Sequence, residues 1–61
     1  MRFTLDIDMS NAAFDLDGFD DPLPELTRIL KLVASQVERG SRSAPVLDVN
    51  GNTVGSWAVR P

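Results

Sequence analysis

Cysteine, histidine and tyrosine are all absent from this 61-residue chain. Without Cys, no disulfide or thiolate metal site can reinforce a small core. Without His, the usual general base near neutral pH and the commonest metal ligand are both missing. An enzyme built from these residues would have to work with carboxylates, Ser, Thr, Lys31 or Arg. Long apolar runs are lacking as well, since none approaches the ~20 residues of a membrane span. The N-terminal residues alternate polar and apolar and have no apolar central region of the kind a secretory signal carries. The chain therefore reads as cytoplasmic, with no membrane association.

Residues 1–61 read as one domain. A domain of this size buries only ~60% of the surface its unfolded chain exposes, so a single thin core must carry its stability. The net charge of −3 is unevenly spread. Asp6, Asp8, Asp15, Asp17, Asp20, Asp21 and Glu25 stand against Arg2 alone in the first part of the chain. Arg28, Lys31, Arg39, Arg42 and Arg60 outnumber Glu38 and Asp48 in the rest. An acidic first half does not attract a polyanion. Its plain reading is solvated loops and helix ends.

The strongest local signal is Asn50-Gly51, flanked by Val49 and by Asn52-Thr53-Val54. A two-residue type I′ turn needs positive φ at both central positions, which Asn and Gly tolerate best. The reading is a C-terminal β-hairpin in which Val49 faces Asn52, Leu47 faces Val54, Pro45 faces Ser56 and Ala44 faces Trp57. Phe3, Leu5 and Ile7 alternate with Arg2, Thr4, Asp6 and Asp8, the period of a strand with one buried face. Residues 9–21 read as a long loop in which Phe14 and Phe19 are anchors.

Residues 22–39 read as a helix. Pro22 and Pro24 suit its first turn, Leu23 before Pro24 suits the cap, and Gly40 suits its end. Leu26, Ile29, Leu30, Val33 and Val37 form an apolar stripe, with Ala34 beside it, Leu32 off it, and Arg28, Lys31, Ser35 and Arg39 opposite. Leu30 is central to that stripe, and its truncation to Ala is expected to cost ~2–5 kcal/mol. The expected fold is α+β, order β-α-β-β: a three-stranded sheet with one helix packed on one face. The first strand could pair with either hairpin strand.

Both faces of the hairpin are partly apolar, and one helix covers only one of them. Leu47, Val49, Val54 and Ala58 lack charge, so they are assigned to the helix. Trp57, Val46 and Val59, rimmed by Asp48 and Arg60, then project from the back of the sheet as an association surface. That surface would hold a second copy in a homodimer, or a host protein. The alternative exchanges the two faces and makes Trp57 core, and the long loop could also cover the second face with Phe14 and Phe19.

Other constellations are weaker. Asp15-Leu16-Asp17-Gly18-Phe19-Asp20-Asp21 invites a calcium reading, but Gly18 follows only two ligand positions and Leu26 stands where a bidentate Glu is needed. An acidic turn before a helix is the simpler reading. Asp6 and Asp8 share a strand face, with no sign of the burial that would split their pKa values for acid–base work. Arg28, Lys31, Arg39 and Arg42 could serve a nucleic-acid-associated regulator, but the pI near 4.5 argues against that partner. Arg28 also lies three residues after Glu25, a modest surface pair. No catalytic residue, metal or cofactor is expected.

The segments Phe3-Thr4-Leu5-Asp6-Ile7-Asp8, Asn11-Ala12-Ala13-Phe14, Glu25-Leu26 with Arg28-Ile29-Leu30, and Asp48-Val49-Asn50-Gly51-Asn52-Thr53-Val54-Gly55 come in an order that resembles small uncharacterised proteins of actinobacterial bacteriophages. The resemblance spans most of the chain. It implies a phage-encoded cytoplasmic accessory protein that binds a host protein, and it implies no chemistry. The combined expectation is a non-enzymatic interaction module.

Overall fold

A computed structural model describes residues 1–14 and 21–61. Strand β1 (Arg2–Ile7), helix α1 (Leu23–Glu38), β2 (Ser43–Leu47) and β3 (Thr53–Arg60) follow one another, with a short 3₁₀ turn at Ala12–Phe14. The fold is α+β in the order β-α-β-β: a three-stranded antiparallel sheet, order β1-β3-β2, with the helix packed on one face. Both β1 and β2 pair with β3, so β3 is central and the other two strands are edges.

The helix begins with Pro22 as its N-cap, one residue earlier than the cap expected at Leu23. The Asp21 carboxylate takes the Leu23 N–H at 3.1 Å, a satisfaction the Pro22 side chain could not provide. At the other end Gly40 N–H donates to Val37 C=O and Ser41 N–H to Gln36 C=O, the paired bonds of a Schellman ending.

The face assignment made from sequence is reversed. Trp57 and Val46 are buried with Ile29, Val33, Ala13 and Phe14, and Leu5, Ile7, Ala44, Val54 and Val59 pack against them. Size outweighs the lack of charge here. An indole is among the largest apolar surfaces a side chain can bury, and the register of β1 sets Leu5 opposite Trp57 and Phe3 opposite Val59, which enlarges that face further. The opposite face carries Arg2, Thr4, Asp6, Ser43, Pro45, Ser56, Ala58 and Arg60 and meets solvent. Leu47 is exposed instead of core, and Val49 lies exposed in the turn.

The helix is rotated as well. Its sheet-facing line is Glu25, Ile29 and Val33, all buried, continued by half-buried Gln36. Ile29 has no exposed area, whereas Leu30 is 46% exposed and Val37 44%. The stripe centre expected at Leu30 is therefore at Ile29. The Trp57 indole N–H donates to Gln36 Oε1 at 2.8 Å, so a polar residue is the indole's partner on the sheet-facing side.

The hairpin turn differs by one residue from the type I′ expectation. Gly51 N–H donates to Asp48 C=O, and Asp48 N–H donates to Asn52 C=O. This is the three-residue loop in which a type I turn ends on a left-handed residue, and Gly51 has φ 86°. Asp48 thus stands opposite Asn52, and Leu47 opposite Thr53. A bulge then places Val46 opposite Gly55, which leaves Val54 as the extra residue on β3. The bulge cancels the shift, so Pro45–Ser56 and Ala44–Trp57 pair as expected, while Leu47–Val54 and Val49–Asn52 do not.

Candidate functional site

Two features stand out on this scaffold: a polar cluster that joins the hairpin turn to the helix, and an apolar strip on the helix.

The polar cluster is built from residues that sequence reasoning treated as turn, rim or surface pair. Asp48 is buried at the turn. Its Oδ1 accepts the Asn50 and Asn52 N–H groups at 2.9 Å, and its Oδ2 accepts Asn11 Nδ2 at 2.7 Å and Asn52 Nδ2 at 3.2 Å. Burial pushes the Asp48 carboxyl up, but these bonds outweigh it and hold it below the ordinary range. Glu25 is buried beside it and accepts Arg28 Nε at 2.7 Å, Arg28 Nη2 at 3.0 Å and the Val49 N–H at 2.8 Å. The bidentate guanidinium lowers the Glu25 carboxyl, against the opposing effect of burial. Arg28 Nη2 also donates to Leu47 C=O at 3.1 Å. The pair is therefore a tie between helix and hairpin, not a surface pair. The visible signal was an Asp at the start of the turn: a carboxylate that accepts the backbone N–H two residues on makes an Asx turn, as Asp48 does with Asn50.

This cluster is closed. No buried side-chain nitrogen or oxygen among the described residues lacks a hydrogen-bond partner. Asn11, which binds Asp48, also takes the Ala13 N–H on its Oδ1 at 2.8 Å, and so anchors the turn that buries Phe14. The cluster holds three segments of chain together and offers no open valence to a ligand.

The five residues assigned from sequence to an association surface fall in different places. Trp57 and Val46 are core, Val59 is half-buried at its margin, Asp48 is the centre of the polar cluster, and Arg60 is exposed at the end of β3. They do not form one surface. Phe14 is an anchor as expected, at 2% exposure. Phe19, and the Asp15–Asp20 part of the acidic segment considered for calcium, lie outside the described residues. Asp6 and Asp8 are both exposed, and Asp8 Oδ1 accepts the Ser10 N–H at 2.9 Å. The Ser10 hydroxyl, and then that backbone bond, lower the Asp8 carboxyl. Of the basic residues, Arg28 is compensated by Glu25, and Arg39 folds onto Ser35, donating to its C=O and Oγ.

The apolar strip is the solvent side of α1. Leu23, Leu30 and Val37 recur every seven residues and are 62%, 46% and 44% exposed. Half-buried Leu26 lies between the first two, exposed Ala34 and Thr27 line one side, and Val33, seven residues after Leu26, is committed to the sheet core. Such a seam is the pattern that receives another helix, knobs into holes. It exists because the line that faces the sheet is displaced toward Glu25 and Gln36, so part of the apolar stripe is left outside. Lys31 and Glu38 are exposed beside it.

No helix among the described residues is long and apolar enough to cross a membrane. No group of three or more Asp or Glu among them is placed to hold a metal ion. No protein-family model matches the chain, and neither a curated protein nor a solved structure matches it.

Proposed function

We propose that the protein is a non-enzymatic interaction module whose docking element is the solvent side of α1, and whose partner contributes an amphipathic helix. The observation that carries this reading is the exposed Leu23–Leu30–Val37 line, a heptad seam in a domain too small to leave apolar surface open without cost. A partner helix would bury that line and match Lys31 and Glu38 with charges of its own. The resemblance to phage accessory proteins makes the partner a host protein and the setting the host cytoplasm. The association surface expected around Trp57 has no part in this, because Trp57 and Val46 are core residues packed with Ile29 and Val33 of the helix.

The test uses a photo-crosslinking residue in place of Leu30 in the expressing cell. The expected result is one discrete adduct, competed away by unlabelled protein and lost when Leu23→Asp is added, with the melting transition kept. A diffuse smear, or an adduct indifferent to Leu23→Asp, contradicts the reading.

A further inference from the structure

The two edges of the sheet are not equivalent. In β2 the Val59 N–H to Arg42 C=O bond at 2.8 Å sets the phase of the ladder. Ala44 and Val46 then point their backbone groups at β3, and Ser43, Pro45 and Leu47 point theirs outward. The centre of that outer edge is Pro45, which has no N–H to give. A proline there is a common way of blocking strand addition.

The β1 edge has no such block. The Asp8 N–H to Val54 C=O bond at 2.8 Å sets its phase. Arg2, Thr4 and Asp6 turn their backbone groups toward β3, and Phe3, Leu5 and Ile7 turn theirs outward. Those outward groups have no hydrogen-bond partner among the described residues. The side chains of this edge are complementary to themselves. About a two-fold axis at Thr4, Phe3 comes opposite the partner's Leu5, Thr4 opposite the partner's Thr4, and Arg2 opposite the partner's Asp6.

We infer that two copies of this chain pair through β1, antiparallel and centred on Thr4, to form a continuous six-stranded sheet. Each Phe3–Leu5 pair exchanges both N–H···O bonds in this register, because both residues face outward. Phe3 is 50% exposed in the single chain, beside Trp57 at 6.0 Å between ring centroids, and a neighbouring Leu5 covers it. Arg2 stands directly opposite Arg60 within one chain, an unfavourable like-charge pair. The partner's Asp6 on its other side compensates that repulsion. The interface is isologous, as a two-fold dimer requires, and both helices lie on one face of the joined sheet. The inference is independent of the helix seam, since it uses no residue of α1.

Charge reversal followed by mixing tests it. Wild-type protein is expected to sediment as a dimer at high micromolar concentration. Arg2→Glu alone and Asp6→Lys alone are each expected to sediment as monomers with unchanged Trp57 emission, because each self-pairing now sets like charges opposite one another. An equimolar mixture of the two variants is expected to recover the dimer, since both charge contacts become attractive in the mixed pair. A wild-type monomer at that concentration overturns the inference. So do variants that remain dimeric alone or monomeric when mixed. A dimer abolished by Leu30→Asp but indifferent to both charge reversals also overturns it, while leaving the helix seam as the docking element.

Discussion

At the scale of single residues, neighbours in sequence have opposite roles. Ile29 is fully enclosed and Leu30 nearly half exposed. Ile29→Ala is therefore expected to cost about 2–5 kcal/mol, through lost transfer energy and the cavity left behind, and Leu30→Ala less than about 1 kcal/mol. Chemical denaturation of the two variants checks this; equal losses would mean that the helix is rotated from the orientation described. Gly55 is constrained differently. A methyl group there would overlap the Asp6 carbonyl of the paired strand β1, where Ile7 stands opposite Gly55. Gly55→Ala is expected to cost about 3 kcal/mol or more by forcing β1 away. Substitution at Gly40, where added side-chain atoms meet open space, carries no such overlap.

Among the elements, the turn and the helix start form a single unit. Glu25 and Asp48 both titrate below their ordinary range in the folded chain. Groups of that kind add stability that is present above their unfolded pKa and is lost as the pH falls through the folded one. Thermal stability is thus expected to hold at neutral pH and to decline below about pH 4, the ordinary carboxylate range. Glu25→Gln is expected to lower stability at pH 7 by about 1–3 kcal/mol and to flatten that decline. An acid limb identical to wild type would remove Glu25 from the tie. Much at this level was legible in the sequence. The alternation of Phe3, Leu5 and Ile7 gave β1, Pro22 and Gly40 bounded α1, and Asn50-Gly51 announced the hairpin. The pairing of Ala44 with Trp57 came out right although the turn has three residues, because the bulge at Val54 reverses the slip. The bulge itself was not read from the sequence. The sheet face was misread because periodicity marks two faces without saying which is covered. That depends on the register of β1 against β3, a long-range property that puts Leu5 beside Trp57. The tie of Glu25 to Val49 spans 24 residues and has no local signature.

For the whole molecule, covered surface and open surface fall on different elements. The helix covers the sheet face that holds Trp57, the other sheet face is polar or small, and the open apolar residues among those described include Leu23, Leu30, Leu32 and Val37 of α1, Phe3 of β1, and Leu47 and Val49 at the hairpin end. The proposed association uses the helix seam and the β1 edge, with the indole a bystander. The emission of Trp57 in dilute protein tests this most directly, because it is the only tryptophan. The account predicts blue-shifted emission shielded from iodide at concentrations where the protein is monomeric, unchanged on association and in Leu30→Asp. Red-shifted, readily quenched emission from the monomer, moving to the blue only as copies or partners bind, would contradict it.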